Sequence, residues 1–335
     1  MKTIFVTGSS RSGTTMMSRI LNNHSLIFTF NELHFFEQLC ETSKLAIITG
    51  YNDAVKLCDK LIGIQEDGYL LYKNKKRYLN TAEQIVKAIP ENERTPIKIF
   101  QSFLEYTVIK KRKQFACEQT PRNALYIGDI LANYPDAKII YMVRDPRSVL
   151  LSHKYKWKRK FLGANKITLI ESIRSYFIYH PYTTSKLWVA AARESVKWQN
   201  HENVMFIRFE DLVENPHQLI KNMCDFLSIN FESQMLEIPH VGSSLKTDQK
   251  TVVTGISSSS KDTWKKGGLT KSELYICQKI CGEYMHQFGY KEENLSLPYF
   301  SYVTQTLSFA FKMSVSIPLN FYRAKNFVHA IRKRL

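Results

Sequence analysis

The first residues of the chain carry the strongest chemical signal. An apolar run, Ile4–Val6, leads into the loop G-S-S-R-S-G-T-T at positions 8–15, and a helical pattern begins at Thr14. Such a loop between a strand and a helix directs backbone N–H groups and the positive end of the helix dipole at one point, which makes an anion site. The glycine spacing is that of a Walker loop without its lysine, and Arg11 is the loop's cation. We therefore expect a phosphate-like ligand without nucleoside triphosphate hydrolysis.

A second set of polar residues follows the apolar run Ile139–Val143. Arg144 comes directly after this run, and Pro146 marks the start of a helix on which Ser152 and Lys156 follow two and three turns later. A guanidinium fork, a hydroxyl and an ammonium on one side of the helix suit a phosphate. Ligands in parallel α/β sheets bind beyond the carboxyl ends of the strands, where both Arg11 and Arg144 fall.

The elements that must position these residues alternate between strands and helices. Short apolar runs predict five strands: Ile4–Val6, Leu26–Phe30, Ile97–Phe100, Ile139–Val143 and Val204–Phe209. Helical patterns cover Thr14–Asn23, Arg122–Asn133, Ser185–Gln199 and the residues after Pro216. This alternation predicts an α/β fold with a parallel sheet flanked by helices.

The chain divides into one main domain and two less regular parts. We expect the domain to span residues 1–294, with residues 41–93 as a helical insertion over the acceptor site. Residues 295–335 form an aromatic extension that ends in Arg323, Lys325, Arg332, Lys333 and Arg334. It is either a helix on an anionic membrane surface or a tail packed on the domain.

Taken together, these motifs resemble the sulfotransferases that use 3′-phosphoadenosine 5′-phosphosulfate (PAPS), closest to the bacterial and tyrosylprotein-like branch. The resemblance rests on G-x-x-R-S-G-T-T, on V-R-D-P-R-S with a serine eight residues past the arginine, and on F-I-R-F-E-D-L-V-E-N-P at 206–216. It extends to W-K-K-G-G-L-T at 264–270 and G-E-Y-M-H-Q-F-G-Y at 282–290. The family implies a P-loop-like fold, PAPS as co-substrate, PAP as product and no metal.

The resemblance also implies roles for individual residues. The 5′-phosphosulfate would be held by Arg11, Ser12, Gly13, Thr14 and Thr15. The 3′-phosphate would be held by Arg144 and Ser152, with Lys156 as a further basic contact. Ser260 and Lys261, in the stretch before the W-K-K-G-G-L-T motif, would close over the nucleotide.

Catalysis by sulfuryl transfer needs a base and a cation for the leaving phosphate. Glu32 lies 21 residues after Arg11, the spacing of the catalytic glutamate in the tyrosylprotein-like branch. We expect Glu32 to be the base, with His34 and His24 as alternatives. Gln119 stands where the family commonly has a lysine. Either Arg11 acts alone on the leaving group, or Arg122 or a lysine of the insertion substitutes, or catalysis is weak or lost.

The amino-acid composition indicates which classes of partner and which cellular compartment to expect. The net charge of +17 favours anionic partners, but no nucleic-acid recognition motif is present. The six cysteines form no C-x-x-C pair and predict reduced, buried thiols. With no signal peptide before the first strand, a cytoplasmic location is expected, either free or peripheral to the membrane.

Several functions fit these features. The favoured one is sulfation of a hydroxyl on a carbohydrate or lipid-linked glycan, and the second is sulfation of a lipid or sterol alcohol. A small-molecule kinase, or a nucleotide- or polyanion-binding protein without catalysis, stays open as a function of another class.

Overall fold

One parallel sheet organises the protein. The computed structural model describes residues 1–69, 72, 76–162, 167–239 and 254–320. Within these ranges, five strands pair in parallel in the order β2-β3-β1-β4-β5. The strands are β1 (Lys2–Gly8), β2 (Ile27–Thr29), β3 (Phe115–Glu118), β4 (Lys138–Val143) and β5 (Val204–Arg208). The predicted α/β fold with helices around a parallel sheet is confirmed.

Helices connect the strands and cover the sheet. They are α1 (Thr14–Asn22), α2 (Tyr51–Asp67), α3 (Leu79–Lys87), α4 (Pro96–Lys110), α5 (Ile127–Asn133), α6 (Pro146–Lys154), α7 (Leu169–Ile178), α8 (Pro181–Val196), α9 (Phe209–Glu214), α10 (Pro216–Leu227), α11 (Lys271–Gln287) and α12 (Tyr299–Asn320). A 3₁₀ turn at Pro121–Tyr126 precedes α5, so the helix predicted over 122–133 is two elements.

The sheet is buried on both faces, as its unbroken apolar strands require. Ile4 and Val6 of β1 face a core formed with α1 and α10, whereas Phe5 faces a second core formed with α4, α8 and α11. Burial of both faces fixes the register of β1 between β3 and β4. The rigid sheet edge at the ends of β1 and β4 can therefore hold side chains in a defined geometry.

One predicted strand is wrong. Ile97–Phe100 lies in the first turns of α4, not in the sheet. Pro96 occupies the first turn of this helix, and the Thr95 side chain caps it by accepting a hydrogen bond from the Lys98 N–H. The strand that fills this place in the sheet is β3, which sequence analysis missed.

Two helices lie in the described part of the segment 41–93. These helices, α2 and α3, pack on each other and on α4. After α11, the helix α12 packs on α7 and α11. The basic residues predicted at the end of the extension, from 321 to 335, lie outside the described residues. The boundaries 1–294, 41–93 and 295–335 stay predictions.

All six cysteines are unpaired and buried, as expected. Over the described ranges, no helix has the length and apolar character needed to cross a membrane.

Candidate anion-binding active site

The two predicted anion-binding segments meet at neighbouring strand ends. β1 pairs with β4, with Gly8 opposite Met142. The loop after β1 and Arg144, which follows β4, therefore leave the same edge of the sheet side by side. The connections from these strands run to opposite sides of the sheet, the arrangement at which α/β sheets bind ligands.

The loop after β1 presents an open helix N-terminus. Arg11 and Gly13 both have positive φ, 75° and 98°, and Gly13 precedes α1 in the left-handed conformation. No side chain caps α1, and its first turn holds no acidic residue. The Ser12 hydroxyl is buried with no hydrogen-bond partner among the residues described. These donors suit an anion placed at the start of α1.

The close approach of the loop to β5 explains Gly13. A Cβ atom at this position would lie 2.5 Å from Cδ2 of Phe209, the residue that follows β5. The Phe209 ring in turn lies under the Arg144 guanidinium, 4.1 Å from its centroid. A side chain at position 13 would therefore disturb both the loop and the Phe209 ring on which the Arg144 guanidinium rests.

Arg11 joins the two segments. Its Nε donates to the Ser152 hydroxyl at 2.8 Å, and its carbonyl accepts from Arg144 Nη1 at 3.3 Å. Arg144 Nη2 also donates to the Ser260 carbonyl at 2.9 Å. The structure thus brings together Arg11, Arg144 with Ser152, and Ser260, from three segments that are far apart in sequence.

The cluster is strongly electropositive. Burial lowers the pKa of Arg11 to about 10, with further contributions from Arg159 and Arg144. Burial and the Arg11 charge also lower the pKa of Lys156. Cations that destabilise one another in this way are stabilised by a bound polyanion.

Two members of this cluster had no role assigned from the sequence. His153 follows Ser152, and its pKa is lowered to about 3 by burial, then by Lys156 and Arg11. Arg159 lies one turn beyond Lys156 in the 3₁₀ turn Lys156–Leu162. Their position in the basic run after Arg144 was the available signal, but such runs more often face solvent.

The candidate base Glu32 lies beside these cations. Its carboxylate, about 41% exposed, is 3.4 Å from His34 Nε2. Burial lowers the pKa of Arg11, Lys156 and Arg122, and the Glu32 charge counters this in all three. Glu32 is therefore the carboxylate that the fold brings to the basic cluster.

The two histidine alternatives differ in their surroundings. The His34 ring packs against Tyr69 at 4.6 Å and lies next to Glu32. His24 is buried before the start of β2, the end away from Glu32, and its ring bonds the Asn230 carbonyl and the Leu26 N–H. A structural role explains His24.

Gln119 occupies the position of the lysine that the family commonly has, and Arg122 was a candidate to replace that lysine. Gln119 is 8% exposed, and its Oε1 has no hydrogen-bond partner in the described part of the chain. Arg122 Nη1 bonds both carboxylate oxygens of the buried Glu37, at 2.9 and 2.8 Å. The Arg122 charge is thus largely balanced by the Glu37 carboxylate.

The remaining residues predicted to bind the nucleotide differ in burial and in their partners. Thr14 is buried and Thr15 is exposed in the first turn of α1. Lys261, predicted to close over the nucleotide, forms an ion pair with Glu214 of α9. Among the described residues, no group of three or more His, Cys, Asp and Glu side chains could hold a metal ion.

Comparison with known proteins decides the family. The sequence profile of the "Sulfotransferase family" matches residues 3–233, more than two thirds of the chain. The chain belongs to the sulfotransferase family. "Sulfotransferase 2A6" from Rattus norvegicus is 31% identical over 104 residues, which cover 30% of this chain and 35% of that protein. The chain spans between 30% and half of the length of the first curated relatives it matches.

Solved sulfotransferase domains share the fold. A sulfotransferase domain from the curacin biosynthetic pathway aligns with a TM-score of 0.52 at 21% identity, covering 87% of this chain and 98% of that one. A domain from the Synechococcus PCC 7002 olefin synthase aligns with a TM-score of 0.55 at 19% identity, covering 88% and 96%.

Proposed function

We propose that this protein transfers the sulfuryl group of PAPS to a hydroxyl acceptor. The observation that carries the proposal is the Arg11 loop joined to Ser152 and Arg144 at neighbouring strand ends. A Walker lysine is absent from this loop, which disfavours a kinase. Family membership supplies the independent support.

The two ends of the nucleotide fit two parts of the site. The start of α1, with Arg11 and the buried Ser12 hydroxyl, offers donors for the 5′-phosphosulfate. Arg144 keeps a buried Nε with no partner among described residues, and together with Ser152 it offers donors for the 3′-phosphate. We assign Lys156 to the same polyanion and Ser260 to the closing segment.

The proposed chemistry is an in-line displacement at sulfur. The acceptor oxygen forms a bond to sulfur while the bond from sulfur to the bridging phosphate oxygen breaks, and PAP leaves. Glu32 takes the hydroxyl proton, because it is the carboxylate beside the basic cluster. Arg11 and Lys156 stabilise the charge that grows on the leaving phosphate.

Nucleotide binding without turnover is the second candidate function. Gln119 favours it, because a neutral amide replaces a cation at a buried position beside the site. The two functions separate in one assay, since both require PAP binding and only the first requires label transfer.

The acceptor is proposed to be a carbohydrate or a lipid-linked glycan, with a lipid alcohol as the alternative. The insertion borders the candidate base: Asn31 bonds Gln65 through both its N–H and its side chain, and Tyr69 packs on His34. Acceptor contacts are therefore expected from α2 and the residues after it. The unpaired cysteines suit a cytosol-facing location.

The test is incubation with PAPS carrying labelled sulfur and with fractionated host glycans and lipids. Label in one fraction, lost in Glu32→Gln, supports the proposal and identifies the acceptor class. Tight PAP binding with no label in any fraction would favour the non-catalytic function. Absence of PAP binding by calorimetry would refute both.

A further inference from the structure

The last described helix, α12, is held to the domain by one face. Its Phe309 ring packs on the rings of His180 and Tyr182, and Lys312 Nζ donates to the Tyr179 carbonyl at 3.0 Å. Tyr302 packs on a tyrosine of α11, and Ser316 is buried. Positions 302, 309, 312 and 316 share one side of a helix. Lys312, the charged residue of α12, therefore points inward.

The opposite face of α12 is apolar and exposed. Phe300, Val303, Leu307 and Phe311 recur at helical spacing, about half a turn from the attached face, and are 38 to 83% exposed. A helix on the surface of a water-soluble domain would place charged residues there. Within Tyr299–Asn320 no acidic residue occurs at all.

The neighbouring helix α7 continues this apolar surface. α7 packs against α12, and Arg174 Nε donates to the Leu319 carbonyl at 2.8 Å. Its exposed side chains include Leu169, Ile170 and Ile173. Two adjacent helices thus expose apolar side chains together, which exceeds the scattered exposure that is ordinary on a protein surface.

Basic residues border this surface. The segment Lys156–Lys160, K-W-K-R-K, packs on α7, and besides Lys156 and Arg159 of the Arg11 cluster it carries Lys158 and Lys160. In the sequence, residues 321–335 contain five Lys and Arg residues and no Asp or Glu. Glu171, the acidic residue of α7, is paired with Arg174. Apolar side chains bordered by cations match a bilayer surface with anionic headgroups.

We propose that α7 and α12 form a membrane-contact face that binds anionic lipid bilayers. The apolar side chains of both helices enter the headgroup boundary, and Lys158 and Lys160, beside α7, meet anionic headgroups. Neither helix crosses the bilayer. A second copy of the chain is the competing occupant of this face, but the bordering positive charge would repel it.

Membrane docking would also place the nucleotide site beside the bilayer. The segment that packs on α7 is the one that carries Lys156 and Arg159 to the Arg11 cluster. Resting on the proposed function, this geometry favours an acceptor hydroxyl that is presented at the lipid surface.

The experiment is co-sedimentation of the full chain with phosphatidylcholine vesicles, with and without about 30% phosphatidylserine. The wild-type chain is expected to bind the anionic vesicles and to release as salt is raised. The triple variant Phe300→Gln, Leu307→Gln, Phe311→Gln should bind at least about tenfold more weakly, because it removes the apolar contacts. Ile170→Gln with Ile173→Gln, on α7, gives a second test should the first variant fail to fold.

The matched control is Ile47→Gln, Ile48→Gln, Ile109→Gln. These side chains are 51 to 74% exposed and lie outside α7 and α12, so vesicle binding should not change. No wild-type binding, equal binding by wild type and variants, or an equal loss in the control would overturn the proposal. So would concentration-dependent dimerisation that the α12 variant abolishes while vesicle binding stays the same.

Calorimetry with PAP separates this inference from the proposed function. Wild type and the α12 variant should bind PAP equally in the absence of vesicles, because the variant leaves the Arg11 cluster intact. A chain that binds vesicles but not PAP would refute the proposed function and leave the membrane face standing.

Discussion

Replacement of Arg144 by glutamine should remove recognition of the 3′-phosphate. In the structure, its Nη2 donates to the Ser260 carbonyl at 2.9 Å, and its planar group lies 4.1 Å above the Phe209 ring. These contacts fix the plane of the guanidinium before any ligand arrives. The loss on substitution should therefore be that of a preorganised, charged hydrogen bond, about 1.5–3 kcal/mol.

The assay is calorimetric titration with PAP and with adenosine 5′-phosphate, which lacks the 3′-phosphate. Arg144→Gln should weaken PAP binding roughly 10- to 150-fold, which is the same free-energy loss expressed as a ratio of dissociation constants. The affinity for adenosine 5′-phosphate should change by less than about twofold, because the proposed position of its phosphate is at the start of α1, away from Arg144. Arg144→Lys keeps the positive charge but loses the planar pair of N–H donors, so its PAP affinity should lie between that of the wild type and that of Arg144→Gln.

Arg208→Gln is the matched control, because Arg208 ends the neighbouring strand β5 and stacks on Tyr290 instead of facing the loop. It should leave the affinity for both nucleotides unchanged. Equal weakening of PAP and adenosine 5′-phosphate by Arg144→Gln would show that Arg144 supports the loop only. An unchanged PAP affinity would refute the site.

Three further predictions concern the base, the loop and a buried carboxyl. Glu32→Gln should lower turnover by about 10²- to 10⁴-fold and leave PAP affinity unchanged in calorimetry, because the proton acceptor is lost but not the nucleotide contacts; full turnover would exclude Glu32 as the base. Gly13→Ala should weaken PAP and lower the melting temperature, since its methyl group meets Phe209 and φ is positive; an unchanged melting temperature would contradict this. Burial raises the pKa of Glu118 from 4.5 to about 7, so the protonated form is favoured by folding. Relative to Glu118→Gln, the free energy of unfolding should therefore be highest below pH 4.5 and fall by up to about 3 kcal/mol as pH rises to about 7, measured by urea titration; a flat difference would show that Glu118 titrates normally.

Sequence patterns predicted the fold where local and global signals agree. β1 and β4 are apolar runs buried on both faces, β2 and β5 are partly buried apolar runs at the sheet edges, and each of the four was predicted within a few residues. Ile97–Phe100 has the same composition, but Pro96 and the Thr95 cap start a helix there. β3 is short and ends in the charged Glu118, so its burial depends on partners that no local pattern shows.

The candidate site was predictable as two anion-binding segments but not as one cluster. The loop at 8–15 and Arg144 each carry a local signature, and the sheet order then makes them neighbours. The membership of His153 and Arg159 in the cluster could not be predicted, because it depends on Arg11, which is distant in sequence and is brought near them by the fold. The pairing of Arg122 with Glu37 likewise joins residues 85 positions apart.

The hydrogen bond between Arg11 and Ser152 spans 141 residues of sequence. An anion held between these segments can bind only after the central strands have paired, so nucleotide binding reports cooperative folding of the sheet. At a PAP concentration of a hundred times its Kd, linkage would raise the free energy of unfolding by about 2.7 kcal/mol. The thermal shift on adding PAP is thus a measure of how much of the chain unfolds as one unit with the site.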